Sequence, residues 1–379
     1  MKRAVLIAMA FTALAAPLRA EEGAYPSLEA WGEALFFDTN LSQNRTEACA
    51  TCHDPAAGFS DPRETAVGRA VSLGDDGASL GDRNAPTASY ARFSPPFGRT
   101  ADGKWQGGQF HDGRAATLAD QAKGPPLNPI EMGMPDVAAV AARLRENPRY
   151  VATLAALRPG ADDAAAFDAM AEAIAAYEAS DTFAPFDSKY DRFLRGAAKL
   201  TDQEELGRLL FFSNQFTNCN LCHQLRGTPG AKEETFSNYQ FHNIGVPVNR
   251  AVRAANGAAP DRVDAGLLEN PAVTDPAEAG KIKVPTLRNV AVTGPYMHNG
   301  VFADLRTVIL FYNSYNTKRL ERHINPETGA PFDPPEVAQN LSRTELETGP
   351  ALDDQRIDAL VAFLKTLTDA RYEPLLTDP

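Results

Sequence analysis

Apolar and polar residues follow a helical period over several stretches of the chain. Residues 137–157 and 164–179 are rich in alanine and carry apolar side chains at helical spacing. Asp136 precedes the first stretch and can cap a helix there. Residues 353–367 show the same period through Ile357, Leu360, Val361 and Leu364. Each of these patterns predicts an amphipathic helix.

Two short apolar runs indicate an internal repeat. Gly-Glu-Ala-Leu-Phe-Phe occupies 32–37, and Gly-Arg-Leu-Leu-Phe-Phe occupies 207–212. Each run predicts a short helix, and Asp202, after Thr201, opens the second one. Duplication of one helical unit is the simplest explanation.

The remaining pattern argues against a large sheet. No long stretch alternates apolar with polar residues, and 28 Pro and 27 Gly require long loops. A chain of 379 residues can form two domains with substantial cores. We therefore predict a mainly α fold with two domains, 21–185 and 186–379, joined by a linker near residues 181–188.

The first twenty residues have the layout of a secretory signal peptide. Lys2 and Arg3 precede an apolar run, and Ala20 supplies a small residue before Glu21. This layout predicts removal of residues 1–20 and a periplasmic protein. Later segments are shorter than the roughly 18 apolar residues of a membrane span, so we expect no membrane attachment.

Charge narrows the possible partners. The net charge is −12 and 44% of residues are hydrophobic, as in a globular acidic protein. This charge argues against nucleic acid or an anionic membrane surface as a partner.

The four cysteines form two copies of C-x-x-C-H, the pattern that attaches haem c. The copies are Cys49, Cys52 and His53, then Cys219, Cys222 and His223. The two thiols can add to the vinyl groups of one haem, and the His can bind its iron. The alternatives are a redox dithiol, a zinc site and disulfides. A redox dithiol needs no adjacent His, and the long gap between the pairs disfavours zinc. The pattern predicts two covalent haem c groups.

The sixth ligand of each iron decides its chemistry. A strong second ligand makes an electron-transfer haem, whereas an open position makes a site for peroxide or oxygen. The other histidines are 111, 242, 298 and 323. A lone His is more often a hydrogen-bonding residue than a ligand.

Longer segments resemble the bacterial di-haem cytochrome c peroxidases, and most closely the branch of that family that acts in methylamine utilization. The resemblance covers nearly the whole mature chain. Its segments are 49–61, 81–84, 107–110, 112–114, 128–132 and 283–312, the last containing Val-Pro-Thr-Leu-Arg-Asn and Gly-Pro-Tyr-Met-His-Asn-Gly.

This resemblance implies two different haems. His53 would bind an iron with an open distal side, and His223 and Tyr312 would both bind the other iron. The ordinary peroxidases have Met at that last position, so Tyr312 favours the methylamine-utilization branch. Without the resemblance, Tyr312 would be read as an aromatic core residue. An anionic tyrosinate ligand favours a high oxidation state of iron.

The resemblance also implies a distal pocket and a calcium ion. The distal residues would be Gln121, Pro125 and Glu131, with Glu131 moving a proton between the oxygens of peroxide. The other reading of Glu131 is a surface carboxylate. Calcium would lie between the haems, bound by the Asn84 side chain and the backbone carbonyls of Thr293 and Pro295.

Two positions depart from that branch. It has tryptophan where this chain has His111 and Thr217. The two tryptophans present are Trp31, expected in the core of the first helix, and Trp105, expected in a loop.

Two functions remain open from the sequence. The first is oxidation of precursor methylamine dehydrogenase to complete its tryptophan tryptophylquinone. The second is reduction of hydrogen peroxide with electrons from a small donor protein, which the two missing tryptophans favour. In either case we expect a monomer.

Overall fold

The computed structural model describes residues 23–259 and 261–376, and the predicted signal peptide lies outside these ranges. Helices dominate the regular structure, as the sequence predicted. They are α1 Leu28–Phe36, α2 Cys49–Cys52, α3 Leu118–Ala122, α4 Gly124–Leu127, α5 Val137–Arg145, α6 Pro148–Leu157, α7 Asp163–Glu178, α8 Lys189–Leu194, α9 Asp202–Phe211, α10 Arg250–Ala255, α11 Leu305–Ser314, α12 Arg343–Leu346 and α13 Asp354–Lys365. The strands are β1 Ala66–Arg69, β2 Gly98–Arg99, β3 Trp105–Gln106, β4 Phe241–His242 and β5 Ile282–Lys283.

Side-chain caps explain where the longer helices begin. The Asp136 carboxylate accepts a hydrogen bond from Ala139 N at 2.8 Å, which starts α5. Thr201 and Glu204 form a reciprocal capping box at the start of α9. Asp353 accepts from Arg356 N at 2.9 Å, which starts α13. These caps satisfy backbone N–H groups that have no partner within the helix.

The single helix predicted over residues 137–157 is wrong. The chain forms α5 and α6 instead, with Asn147 between them accepting from Arg149 N at 2.9 Å. Pro148 has no N–H to continue the ladder, and it disfavours a helical conformation for Asn147. The apolar period runs through the break because both helices face the same core.

Two helix crossings repeat in the two halves of the chain. α1 packs on α7, and α9 packs on α13. A glycine lies at each crossing: a Cβ on Gly32 would lie 1.8 Å from Ala173 O, and one on Gly207 would lie 1.9 Å from Ala359 O. The backbones therefore approach more closely than any side chain allows. This agrees with the repeat that the two apolar runs indicated.

Each crossing belongs to a separate apolar cluster. One cluster is drawn from residues 31–183 and contains Trp31, which is fully buried as expected. The other is drawn from residues 190–367. The buried residues of the first cluster therefore precede residues 184–189 in the chain, and those of the second cluster follow them.

In the part of the chain that is described, paired strands form only two short ribbons. β2 pairs with β3, and β4 pairs with β5, both antiparallel. Trp105 lies in β3, so the expected loop position is wrong. Its ring stacks on Phe97 at 4.8 Å, and the Arg99 guanidinium lies 4.1 Å from its centroid. Arg99 is also the cross-strand partner of Trp105, so these contacts stabilise the short ribbon.

Among residues 23–259 and 261–376, we find no helix with the length and hydropathy required to cross a bilayer.

Candidate haem centres

The first C-x-x-C-H motif forms a single helical turn. Cys49 and Cys52 are the ends of α2, and His53 N donates to Cys49 O at 2.9 Å. His53 Nδ1 donates to Phe59 O at 3.2 Å, which leaves Nε2 as the free ring nitrogen. Burial lowers the pKa of His53, which favours the neutral imidazole that a metal requires. The residues fit a haem with a fixed proximal ligand.

The second motif repeats this geometry. Cys219 begins a 3₁₀ turn, and His223 N donates to Cys219 O at 2.9 Å. His223 Nδ1 donates to Phe236 O at 3.1 Å, and burial lowers the pKa of His223 to about 4. A backbone carbonyl therefore orients each proximal imidazole, an arrangement that also raises the basicity of the metal-binding nitrogen.

A cavity of about 360 Å³ adjoins the second motif. Cys219, Cys222 and His223 line it, and Tyr312 reaches it from α11. Burial raises the pKa of Tyr312, with further contributions from Cys222 and Cys219. The structure thus brings Tyr312 to the cavity of the second motif, where the sequence predicted a ligand.

The predicted distal residues lie in one helix–turn segment. Gln121 is in α3 and Pro125 is in α4, which follows directly. Glu131 occupies the turn after α4, where Met132 N donates to Pro125 O at 3.2 Å. Burial raises the pKa of Glu131, while Arg114 and Asn128 act in the opposite direction. The carboxyl group is thereby poised closer to neutrality, as acid–base catalysis requires.

Comparisons with known proteins show the family of the chain. Residues 26–199 match the sequence profile of the di-haem cytochrome c peroxidase family. The methylamine utilization protein MauG of Paracoccus denitrificans is 59% identical over 355 residues, covering 93% of this chain and 91% of that protein. The chain belongs to the di-haem cytochrome c peroxidase family.

Two further relatives support the assignment. Cytochrome c551 peroxidase of Pseudomonas aeruginosa is 32% identical over 280 residues, covering 73% of this chain and 69% of the relative. The crystal structure of the diheme peroxidase BthA from Burkholderia thailandensis superimposes with a TM-score of 0.81 at 34% identity, covering 94% and 90% of the two chains. As a member of this family, the chain is a c-type oxidoreductase with two haem c groups, which confirms the prediction from the motifs.

In this di-haem oxidoreductase, the residues predicted to bind calcium line the cavity that adjoins the second motif. They are Asn84, Thr293 and Pro295. Asn84 Nδ2 donates to Ala70 O at 3.1 Å, so the amide nitrogen already has a partner. Among the described residues, no group of three or more His, Cys, Asp or Glu could hold a metal. A cation here would depend on amide and backbone oxygens, which suit calcium.

His111 bridges two segments that line this cavity. Its Nε2 donates to Asn84 O at 2.9 Å, and its ring centroid lies 6.4 Å from that of His298. Burial lowers the pKa of His111 to about 3, so the ring is neutral. Thr217 also lines the cavity, and its hydroxyl donates to Leu210 O at 2.6 Å. Neither His111 nor Thr217 carries an indole ring.

Glu178, at the last position of α7, was not predicted from the sequence. Its side chain is 5% exposed, and no hydrogen bond to its carboxyl is recorded within residues 23–259 and 261–376. Burial alone raises its pKa to about 8, and its charge would in turn raise the pKa of Cys49. Glu178 is therefore near enough to Cys49 for its charge to act on that thiol, and its raised pKa favours the neutral acid. The available signal was an acidic residue on the apolar face of a predicted helix.

Proposed function

We propose that this chain is a periplasmic enzyme that oxidises a precursor of methylamine dehydrogenase. With peroxide, or with oxygen plus electrons, it would complete the tryptophan tryptophylquinone of the small (beta) subunit. The observation that carries this proposal is the 59% identity to a methylamine utilization protein over almost the full length of both chains. Tyr312, in the cavity beside the second motif and at a position where the ordinary peroxidases have Met, supports the same branch.

The two haem sites would divide the work. When bound, the haem of His53 would supply the iron that reacts with peroxide, and that of His223 and Tyr312 would pass electrons. Glu131 would accept the proton from one peroxide oxygen and return it to the other, because its raised pKa suits both directions. Gln121 and Pro125 would shape the pocket around it. Tyr312 would bind as tyrosinate, since an anion compensates the charge of a high-valent metal.

We further propose two cytochrome c-like lobes, 21–185 and 186–379, each built around one haem. The two apolar clusters and the repeated glycine crossings support this division. Calcium between the haems, a signal peptide at 1–20 and a monomeric state complete the proposal. Asn84, Thr293 and Pro295 support the calcium site because they line one cavity.

A second function is favoured by one specific observation. Neither His111 nor Thr217 provides an oxidisable indole between the haems or beside the second one. Electron removal from a large protein would then be slower, and the enzyme could instead reduce hydrogen peroxide with electrons from a small donor protein.

One experiment separates the two functions. The holoprotein is given peroxide together with either precursor methylamine dehydrogenase or a reduced small c-type cytochrome. We expect quinone absorbance to develop in the precursor, and we expect it to be slowed in a Glu131→Gln variant. Peroxide-dependent oxidation of the cytochrome without quinone formation would favour the second function. No change in either substrate would contradict both.

A further inference from the structure

Tyr90 and Asp369 form a buried hydrogen-bonded pair that the proposed function does not use. Both residues are 0% exposed, and Tyr90 OH donates to Asp369 Oδ1 at 2.6 Å. Asn289 Nδ2 donates to Asp369 Oδ2 at 2.9 Å, which fixes the carboxylate. Phe186 N donates to the same phenolic oxygen at 3.1 Å. The phenol thus has a carboxylate acceptor at short distance and no access to solvent.

The segment that carries Tyr90 contacts the proximal side of the first haem site. Ala88 N, two residues before Tyr90, donates to Phe59 O at 3.1 Å. Phe59 O is the same carbonyl that accepts from His53 Nδ1 at 3.2 Å. One carbonyl therefore connects the ligand of the first iron to the backbone that carries Tyr90.

Tyr90 also adjoins the cavity beside the second haem motif. Tyr90 is among the residues that line the cavity of His223. The Arg288 guanidinium lies 5.3 Å from the centroid of Tyr90 and 5.3 Å from that of Phe236. Phe236 O accepts from His223 Nδ1 at 3.1 Å. Tyr90 therefore lies between the loops that orient the two proximal histidines.

The charges around Tyr90 decide how it can be oxidised. Arg288 is a buried cation, and Asp191 accepts from its Nη2 at 3.0 Å. A radical cation on Tyr90 would place an unpaired positive charge in a buried site, 5.3 Å from the Arg288 guanidinium, whose own charge Asp191 already compensates. Transfer of the phenolic proton avoids this positive charge. Burial raises the pKa of Asp369, which makes its carboxylate a better proton acceptor.

We propose that Tyr90 and Asp369 form a proton-coupled redox site between the two haems. Tyr90 gives one electron to a peroxide-oxidised haem, and its phenolic proton moves to Asp369 Oδ1. The products are a neutral tyrosyl radical and a carboxylic acid. An electron from the substrate then reduces the tyrosyl radical, and the proton returns from Asp369 to the phenolic oxygen of Tyr90. This site rests on the proposed peroxide chemistry at the first haem, and it supplies an oxidisable ring where His111 cannot.

Other buried tyrosines provide matched controls. Tyr190 and Tyr372 are 0% and 2% exposed, and the structure records no partner for either hydroxyl in the residues it describes. Without an acceptor, the proton of such a phenol cannot leave with the electron. Burial alone therefore does not make a tyrosine oxidisable here.

The test is rapid-freeze electron paramagnetic resonance of the holoprotein after one equivalent of peroxide without substrate. Ring-deuterated tyrosine identifies a tyrosyl signal by its narrowed hyperfine structure. We expect this signal in the wild type and in Tyr190→Phe. We expect it to be lost in Tyr90→Phe and diminished in Asp369→Asn. Resting haem spectra check that each variant is correctly folded.

Two results would overturn the proposal. One is an oxidised haem spectrum in the wild type without any tyrosyl signal, which leaves the peroxide chemistry intact. The other is an unchanged tyrosyl signal in Tyr90→Phe. A haem spectrum that does not respond to peroxide would instead remove the proposed function, and with it the oxidant on which this site depends.

Discussion

In the proposed function, peroxide activation depends on Glu131. Replacing it with Gln keeps the shape of the side chain but removes proton transfer. We expect the reaction of the holoprotein with peroxide to slow by roughly 10² to 10⁴, the usual contribution of acid–base catalysis. Stopped-flow absorbance measures this rate, and Glu64→Gln, an exposed carboxylate, is the control. An unchanged rate in Glu131→Gln would exclude this role.

Glu178 should make stability depend on pH. Its pKa rises from 4.5 in the unfolded chain to about 8 in the fold because of burial. The folded state therefore holds the proton more tightly, and stability falls as pH rises from 4.5 through 8. The loss amounts to up to about 5 kcal/mol.

The free energy of unfolding at pH 5 and pH 8 tests this. Glu178→Gln should show less loss between the two pH values than the wild type. Glu172→Gln, on the same helix but in an exposed ion pair with Arg158, should retain the full loss. Equal pH dependence in wild type and Glu178→Gln would show that this carboxyl is not held neutral.

The sequence allows a role to be predicted for residues that belong to extended motifs. Cys49, His53 and Glu131 could be given predicted roles because their neighbours in the chain form such motifs. Glu178 and Tyr90 could not, since each looks locally like part of an ordinary helix or loop. Their surroundings come from residues far away in the chain, such as Asp369 for Tyr90.

At the scale of elements, the apolar period predicted most helices but not their ends. α9 begins at Asp202, as its capping residue predicted, whereas α13 begins one residue later than its apolar period indicated because Asp353 is its cap. The break between α5 and α6 shows the limit, because Pro148 interrupts the backbone without interrupting the apolar face. The glycines of the crossings could not be assigned a role from sequence, because the close contact is between distant helices.

Replacing Gly207, the glycine at the second crossing, should lower the stability of the protein. In Gly207→Ala, the added methyl group would overlap the backbone at Ala359, at 1.9 Å from its oxygen. Overpacking of this kind costs roughly 1–3 kcal/mol, more than the gain of about 1 kcal/mol in helix propensity. We expect a lower melting temperature for the holoprotein. Gly227→Ala, with no atom within 4 Å of the added carbon, should leave it unchanged. Equal melting temperatures for both variants would contradict the close packing of α9 on α13.

At the scale of the whole molecule, the sequence predicted a mainly helical protein with two haem sites. It could not show the cavity itself, in which Asn84, His111 and Thr293 meet from separate segments of the chain. His111 Nε2 donates to Asn84 O, so His111 is a hydrogen-bonding residue, as expected of a lone His rather than a metal ligand.

His111 should limit how well the two haems share an oxidising charge. Imidazole is harder to oxidise than indole, so the doubly oxidised state should be short-lived. In His111→Trp, we expect a longer lifetime after one equivalent of peroxide, measured by stopped-flow absorbance. An unchanged lifetime in a variant with a normal resting spectrum would show that this position does not control charge sharing.

The division of labour between the two haems is the central claim. Quantitative electron paramagnetic resonance of the resting ferric holoprotein tests it most directly. We predict one high-spin, five-coordinate haem and one low-spin haem in equal amounts, and a Tyr312→Phe variant in which only the low-spin signal changes. Two low-spin haems in the wild type, or a low-spin signal unaffected by Tyr312→Phe, would contradict the claim.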